Sequence, residues 1–245
     1  DLAMLAGKTN DYLLENILLL VACTLVGSAG TFLTRLMANA MGRSLINILF
    51  GALKGGSTLG GTTVSDRPVK SAGPADVAIL LAYAQRVIIV PGYGLAVAQA
   101  QHTLRQLVDL LIERGARVDY AIHPVAGRMP GHMNVLLAEA QVPYEQLKEM
   151  DEIDPEFKQA DVALVVGAND VVNPAAETTP GAPIYGMPIL HANQARQVVF
   201  MKRSMRPGFA GIENELLYKP TTTLLFGDAK VTMGKLLAEL KALTV

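Results

Sequence analysis

The sequence predicts an α/β protein with a doubly wound, mainly parallel sheet that follows a membrane-spanning helix. Short apolar segments alternate with helix-like segments from residue 75 onward, which is typical of a parallel sheet with helices on both faces. The first apolar segment ends in a Gly-x-Gly turn, and an uncharged segment near the N terminus is long enough to cross a bilayer. We therefore expect a six-stranded, Rossmann-like sheet preceded by a transmembrane helix.

The uncharged segment predicts a transmembrane helix over about residues 13–37. No charged residue occurs in Asn16–Thr34, and the small residues 27–30 suit close packing between membrane helices. A signal peptide fits poorly because Asp1, Asp11 and Glu15 precede the apolar segment, where positive charge is expected. A buried helix of a soluble core is the remaining alternative.

Charge and composition divide the chain into a membrane part, a linker and a folded domain. Arg35, Arg43 and Lys54 follow the span, so the positive-inside rule places the rest of the chain on the cytoplasmic side. We expect residues 1–54 to be the C-terminal part of a membrane domain, with an interfacial helix at 44–53. Residues 55–74 predict a flexible Gly-rich linker, and residues 75–245 a folded domain. Because the chain begins at Asp1, we expect it to be part of a longer membrane polypeptide.

The elements of the folded domain follow from periodicity and turn residues. Asp228 is placed as the N-cap of the last helix. Five strands are expected at 86–90, 117–122, 161–166, 197–201 and 222–226, and helices at 75–85, 95–114, 133–140, 144–149 and 228–243.

Composition excludes several classes of protein and site. The chain from residue 75 on carries fifteen Lys and Arg against eighteen Asp and Glu, so it lacks the basic face of a nucleic-acid-binding protein. Cys23, the only cysteine, lies in the predicted span, which excludes a disulfide framework. His123 and His132 stand in one loop without a third ligand at metal spacing, so we expect no metal.

Four segments at strand ends predict an anion-binding site. Ligands bind beyond the carboxyl ends of the strands in such sheets, and these segments are 92–97, 167–171, 202–204 and 227–229. A Gly-x-Gly turn before a helix presents backbone N–H groups and the positive helix end to a phosphate. The alternative is a purely structural turn.

The nucleotide is expected to be NADP rather than NAD. The second strand ends without an acid for a ribose hydroxyl, since Asp119 lies too early in it. Lys202 and Arg203 can pair with a 2′-phosphate, and Arg128 with a pyrophosphate. The alternative for Lys202 and Arg203 is a solvated basic turn.

Asp170 is the candidate catalytic carboxylate. It follows Gly-Ala-Asn at a strand end, so we expect its protonation to respond to cofactor charge, with a turn or cap role as the alternative. Spacing supports no Ser-His-Asp or Cys-His arrangement. Hydride transfer needs none, because nicotinamide cofactors carry that reaction.

Long motifs point to one family. Pro91–Gln101, Ile122–Ala140, Gly167–Ala176, Lys202–Ser204 and Gly227–Lys230 resemble the beta subunit of the proton-translocating NAD(P) transhydrogenases, in its C-terminal NADP(H)-binding domain. The likeness runs from about Val77 to the C terminus and reaches back to Met41–Ser44.

The resemblance implies direct, Re/Si-specific hydride transfer between NADH and NADP+ held here, coupled to proton translocation. NAD(H) would be held by an NAD-binding alpha subunit or domain. It also implies further membrane helices, a dimer of the whole complex, and a multi-pass protein of the inner (plasma) membrane with the nucleotide domain in the cytoplasm.

The resemblance further implies the site residues. Lys202–Ser204 would hold the 2′-phosphate, the 92–97 and 125–130 segments the pyrophosphate and nicotinamide half, and a loop around Phe209 would be a lid. The implied cofactor-binding residues are Gly92, Tyr93, Gly94, Ala96, Val97, Val125, Ala126, Gly127, Arg128, Met129, Pro130, Gly167, Ala168, Asn169, Asp170, Val171, Gly186, Met187, Lys202, Arg203, Ser204, Gly208, Phe209, Gly227, Asp228 and Ala229.

One departure and two alternatives remain. The lid of relatives usually reads Gly-Tyr-Ala, whereas here it is Gly208-Phe209-Ala210, which removes a hydroxyl hydrogen bond. A membrane-tethered NADP(H)-sensing module without chemistry of its own is the alternative function. A soluble NADP-dependent dehydrogenase is disfavoured because no sequence is left for a substrate domain.

Overall fold

The computed structural model describes residues 17–40, 67–129 and 131–243. The chain divides into two units, residues 1–53 and 54–245. The predicted interfacial helix at 44–53, the Gly-rich part of the predicted linker and Pro130 lie outside the described residues.

The first unit contains one long helix, α1 (Ile17–Ala40). Its segment Val21–Asn39 has a mean hydropathy of 1.3 and is long and apolar enough to cross a membrane. The hydroxyl groups of Ser28, Thr31 and Thr34 donate to carbonyls one turn back, so these polar side chains are satisfied within the helix.

The second unit is built on a six-stranded, all-parallel sheet in the order β3-β2-β1-β4-β5-β6. This is the order of a doubly wound dinucleotide-binding fold, with the switch between β1 and β4. The strands are β1 (Arg86–Pro91), β2 (Arg117–Ile122), β3 (Leu147–Glu149), β4 (Val162–Val166), β5 (Gln197–Lys202) and β6 (Thr222–Phe226).

Helices cover both faces of the sheet. The α-helices are α2 (Pro74–Ala82), α3 (Tyr93–Val97), α4 (Gln101–Glu113), α5 (His132–Glu139), α6 (Met150–Ile153), α7 (Ala175–Thr178) and α8 (Ala229–Ala242). Short 3-10 turns lie at Tyr144–Gln146, Asp154–Gln159, Asp170–Val172, Ala192–Gln194 and Glu215–Tyr218.

Alternate strand residues face two cores, because successive side chains of a strand point to opposite sides. Val87 and Ile89 pack in one core with side chains of α2, α4 and α8. Ile88 and Val90 pack in the other with residues such as Phe157. The strands are therefore apolar on both faces, which is why they read as continuous Val and Ile runs.

The structure confirms the predicted fold class and corrects two predicted helices. The helix predicted at 95–114 is two helices, α3 and α4, because Gln99 adopts a left-handed conformation with φ 48° between them. The helix predicted at 144–149 is a 3-10 turn followed by β3, the sixth strand. Asp228 caps α8 as predicted, since its carboxylate accepts from the Lys230 and Val231 N–H groups.

Part of the predicted linker belongs to the sheet edge. The Ala72 N–H donates to the Leu224 carbonyl, and the Leu224 N–H donates to the Lys70 carbonyl, at 3.0 and 2.8 Å. Residues 70–72 thus run parallel to β6. This pairing is made by backbone hydrogen bonds, which do not depend on side-chain type. The polar composition of the segment therefore did not predict it.

Candidate functional site

A cleft of ≈ 630 Å³ lies across the carboxyl ends of β1, β4, β5 and β6. Its position matches the switch-point crevice in which doubly wound folds bind ligands. The lining residues are Gly94, Val97, Ala98, Gly167, Ala168, Asn169, Met201, Lys202, Arg203, Ser204, Arg206, Pro207, Gly208, Gly227, Asp228 and Ala229.

Glycine backbones close the floor of the cleft between β1 and β4. A Cβ on Gly94 would lie 2.7 Å from the Gly167 Cα, and a Cβ on Gly92 would lie 2.5 Å from the Ala168 Cα. Gly167 itself has φ +67°, a conformation that side chains rarely adopt. Only glycine lets these two turns approach so closely.

This contact uses the amides that were expected to face a phosphate. The Gly92 N–H donates to the Val166 carbonyl and the Gly94 N–H to the Gly167 carbonyl, both at 2.9 Å. The helix that begins at the turn, α3, has five residues. The N–H groups of Gly92 and Gly94 are therefore bound to the end of β4 and the turn after it, and the anion site at the Gly-x-Gly turn stays a prediction.

The positively charged residues of the cleft lie at the end of β5 and in the loop that follows it. The Lys202 Nζ donates to the Asn169 Oδ1 at 3.2 Å. Burial lowers the pKa of Lys202, and the charge of Asp170 opposes this effect. Arg203 and Arg206 are exposed in the same lining.

Asp170 lies next to Asn169 and beneath Ala210, in the segment 208–212 that we predict to be a lid and call the lid, and it is not among the residues that line the cleft. Its Oδ1 accepts from the Asn169 Nδ2 and its Oδ2 from the Ala210 N–H, both at 2.9 Å. A Cβ on Gly208 would lie 2.5 Å from both the Asn169 Nδ2 and the Asp170 Oδ1. The lid backbone therefore rests directly on the Asn169–Asp170 pair.

Phe209, at the lid tip, is fully exposed at 106%. Its ring is therefore available to a ligand or a partner. The Asp170–Ala210 hydrogen bond is made by the backbone of Ala210 and does not involve the Phe209 side chain.

The loop after β2 is held by its two histidines. Burial lowers the pKa of His123, whose Nδ1 accepts from the Val125 N–H and whose Nε2 lies 2.8 Å from the Pro188 carbonyl. A neutral ring that donates through Nε2 satisfies both bonds. The His132 Nδ1 accepts from the Arg128 N–H at 3.1 Å, so the second ring also holds loop backbone.

Arg128 and Tyr93 face each other beside the cleft. The Arg128 guanidinium lies 4.7 Å from the centroid of the Tyr93 ring, within cation–π range. This contact connects the loop after β2 with the turn after β1. The contact holds the positive charge of Arg128 next to the Gly-x-Gly segment, although Arg128 does not line the cleft.

The structure brings together part of the predicted set. Gly94, Val97, Gly167–Asn169, Lys202–Ser204, Gly208 and Gly227–Ala229 line one cleft. Outside the lining are Gly92, Tyr93, Ala96, Val125, Ala126, Gly127, Arg128, Met129, Asp170, Val171, Gly186, Met187 and Phe209.

Sequence reasoning missed four lining residues: Ala98, Met201, Arg206 and Pro207. Arg206 carried a signal, because it stands in the basic cluster directly after β5. The other three are apolar residues that only the approach of neighbouring elements brings to the cleft.

Comparison with known proteins gives two concordant findings. The profile of the family described as NAD(P) transhydrogenase beta subunit matches residues 3–239. Two relatives from Rhodospirillum rubrum, each named NAD(P) transhydrogenase subunit beta, are 55% identical over 221 residues, covering 89% of this chain and 48% of the relative. The chain spans about half the length of these curated relatives.

A solved structure from Mycobacterium smegmatis, provisionally assigned as a thiamin diphosphate-dependent enzyme, is a weaker match. It has a TM-score of 0.41 and 16% identity, over 73% of this chain and 29% of that one. This similarity is too low to carry an argument. The family profile, the R. rubrum relatives and the parallel sheet agree: the chain belongs to the NAD(P) transhydrogenase beta subunit family.

Proposed function

We propose that this chain is the NADP(H)-binding component of a membrane transhydrogenase. In this proposal a hydride passes directly between NADH, held by an NAD-binding alpha subunit or domain, and NADP+ held in the cleft. The transfer is Re/Si-specific and coupled to proton translocation. The observation that carries the proposal is the cleft across four strand ends, with Lys202 at its wall and Arg203 and Arg206 at its mouth.

The charge of the cleft suits a phosphate ester. Lys202, Arg203 and Arg206 face a single lining carboxylate, Asp228, which already accepts two N–H groups of α8. Burial destabilises the charged form of Lys202. An anion bound beside the Lys202 ammonium would stabilise that charged form again. The residues present therefore fit a nucleotide with a phosphate near β5, which distinguishes NADP from NAD.

The glycine contact suits a flat ring or a pyrophosphate laid over backbone. Gly94 and Gly167 bring the turns after β1 and β4 into backbone contact, and both line the cleft at the β1–β4 switch, where doubly wound folds bind ligands. When bound, the nicotinamide ring supplies the hydride chemistry. The chain's own residues bind the cofactor, orient it and keep water from its reactive face.

Asp170 fits the role of coupling protons to the lid. Its ionised Oδ2 accepts from the Ala210 N–H, and its Oδ1 accepts from the Asn169 Nδ2. A proton on this carboxylate would weaken one of these charge-assisted bonds, each worth about 1.5–3 kcal/mol. The lid would then loosen as Asp170 is protonated and tighten as it is ionised.

The membrane and partner assignments rest on the family and on α1. The name beta subunit implies an alpha subunit, and α1 is long and apolar enough to span a bilayer. We place the chain in the inner (plasma) membrane as part of a multi-pass protein, with the cleft facing the cytoplasm. The remaining membrane helices, and a dimer of the whole complex, complete the proposal.

Calorimetric titration of the full chain in detergent micelles tests the cofactor. We expect NADP+ to bind and NAD+ to bind at least about a hundredfold more weakly, because two charge-assisted contacts are lost. Replacing Lys202 and Arg203 by Ala should remove most of this preference. Arg196→Ala, which removes an exposed ion pair with Asp161, is the matched control. Equal binding of both nucleotides by the unmodified chain would refute the proposal.

A second assay separates the enzyme from a sensing module. The chain is combined with an NAD-binding partner subunit, and reduction of an NADP analogue by NADH is followed by absorbance. A transhydrogenase component transfers the hydride, whereas a sensor binds NADP(H) and transfers none.

A further inference from the structure

The first described residue of the second unit, Arg67, makes an unusually dense set of contacts for a surface side chain. Its Nη1 and Nη2 donate to the two carboxylate oxygens of Glu215 at 2.9 and 2.8 Å. Its Nη2 also lies 3.3 Å from the Glu213 Oε2, and its guanidinium carbon lies 4.1 Å from the centroid of the Tyr218 ring. We call Arg67, Glu213, Glu215 and Tyr218 the clasp.

The clasp holds the segment that connects the lid to β6. Glu213 follows the lid residues 208–212, and Glu215–Tyr218 is the 3-10 turn that precedes β6. The Tyr218 hydroxyl donates to the Glu213 carboxylate, so the two carboxylates and the ring form one unit. The hydrogen bonds of Arg67 hold the pKa of Glu215 below its usual range, which keeps this carboxylate ionised at neutral pH.

The backbone of the clasp is connected to the nucleotide cleft through Asn214, which lies between Glu213 and Glu215. The Asn173 Nδ2 donates to the Glu213 carbonyl at 3.1 Å. The Asn214 Nδ2 donates to the Asn169 carbonyl at 3.0 Å, and Asn214 is buried. Asn169 lines the cleft and contacts Lys202.

The segment that carries Arg67 is fixed at its other end. Residues 70–72 pair with β6 through two backbone hydrogen bonds, and β6 lies within the sheet. A displacement of the chain before Arg67 would therefore act on β6 on one side and on the lid base on the other. The lid residues 208–212 lie in no helix or strand and none of them is buried, so they deform at lower free-energy cost than β6 and are the part that responds.

We propose that Arg67 is a positioning residue that ties the chain entering the nucleotide domain to the base of the lid and thereby sets the rate of NADP(H) release. This inference rests on the proposed function, since it requires that NADP(H) leaves from beneath the lid. It assigns a defined task to Arg67, which the sequence analysis placed in a flexible linker. It also provides a route by which the preceding part of the chain acts on the cleft.

The experiment measures NADPH dissociation from the full chain by stopped-flow, with an excess of NADP+ as the chase and nicotinamide fluorescence as the signal. Arg67→Ala and Glu215→Gln should each accelerate dissociation by roughly two- to fivefold, the range expected for losing a surface ion pair. Arg67→Glu alone should accelerate it at least as much. Arg67→Lys keeps a positive charge beside Glu213 and Glu215, so its rate should lie closer to that of the unmodified chain than the rate of Arg67→Ala does.

Arg196→Ala is the control, because Arg196 also forms an exposed ion pair but at the amino end of β5. Its dissociation rate should equal that of the unmodified chain. A clasp that merely stabilises the fold would lower the melting temperature of the Arg67 variants and leave their dissociation rates unchanged, which would overturn the inference. So would an Arg67→Lys variant that releases NADPH as fast as Arg67→Ala. If the unmodified chain does not bind NADPH, the proposed function itself fails.

Discussion

Replacing Gly167 by Ala tests the closest backbone approach in the site. Gly167 has φ +67°, and a Cβ there would lie 2.6 Å from the Gly94 carbonyl carbon. The left-handed conformation costs a side-chain residue about 1–2 kcal/mol, and the lower entropy of the unfolded chain returns about 0.4–1 kcal/mol. Forcing the two turns apart adds about 1–3 kcal/mol. The total destabilisation should be about 3 kcal/mol.

Gly115→Ala is the matched control. Gly115 has φ +91°, also in the left-handed region, but a Cβ there would meet nothing within 4 Å. This substitution should therefore cost only the backbone share, about 1 kcal/mol. The difference between the two variants isolates the contact between β1 and β4 from the strain at a positive φ.

Urea unfolding of the full chain in detergent micelles, followed by far-UV circular dichroism, measures both variants. The sequence has no Trp, so circular dichroism is the more suitable signal. A difference of about 2 kcal/mol separates the midpoints by roughly 1 M at a typical m value. Equal midpoints for Gly167→Ala and Gly115→Ala would show that the close approach does not constrain the fold, and the argument for the glycine floor would then fail.

Three further outcomes are expected. His191 is held between Asp154 and Glu177; burial lowers its pKa, but the two carboxylates raise it further, so the net shift is upward. Its stabilisation is fully present below the unfolded pKa of about 6.5 and is lost as the pH rises through the folded pKa, so the stability difference between the unmodified chain and His191→Gln in urea should shrink from pH 6 to pH 8. Asp228→Ala removes the N-cap of α8 and should cost about 0.5–2 kcal/mol in the same urea assay, whereas Asp228→Asn should cost less because Asn also caps. Phe209→Tyr restores a lid hydroxyl and should tighten NADP+ binding about fivefold in calorimetry, as one hydrogen bond is worth about 1 kcal/mol; an unchanged affinity would mean that the lid tip does not contact the cofactor.

The strand core of the domain was predictable because each strand is buried on both faces. Val87–Val90 and Val162–Val166 consist of apolar residues, which is what a central parallel strand requires. β3 was missed because it has three residues and lies at the sheet edge, where Lys148 and Glu149 are tolerated. Its helical appearance reflects the 3-10 turn that precedes it.

The parts of the site that depend on residue type could be predicted from the sequence. Lys202 is the last residue of β5 and Arg203 follows it, and Gly94 and Gly167 are glycines near strand ends. All four line one cleft. The use of the Gly94 amide by the Gly167 carbonyl was not predictable, because it depends on two turns separated by more than seventy residues. A hydrogen bond between two backbone groups does not depend on the type of side chain, so the sequence carries no signal for it.

The sequence by itself determined the fold class, the family and the sign of the charge in the cleft, since these depend on local periodicity and residue type. Only the tertiary structure showed that Asp170 lies beneath the lid rather than in the cleft, and that Arg67 reaches Glu213 and Glu215. These contacts join residues up to 148 positions apart, and the distance between such residues is decided by how the layers pack.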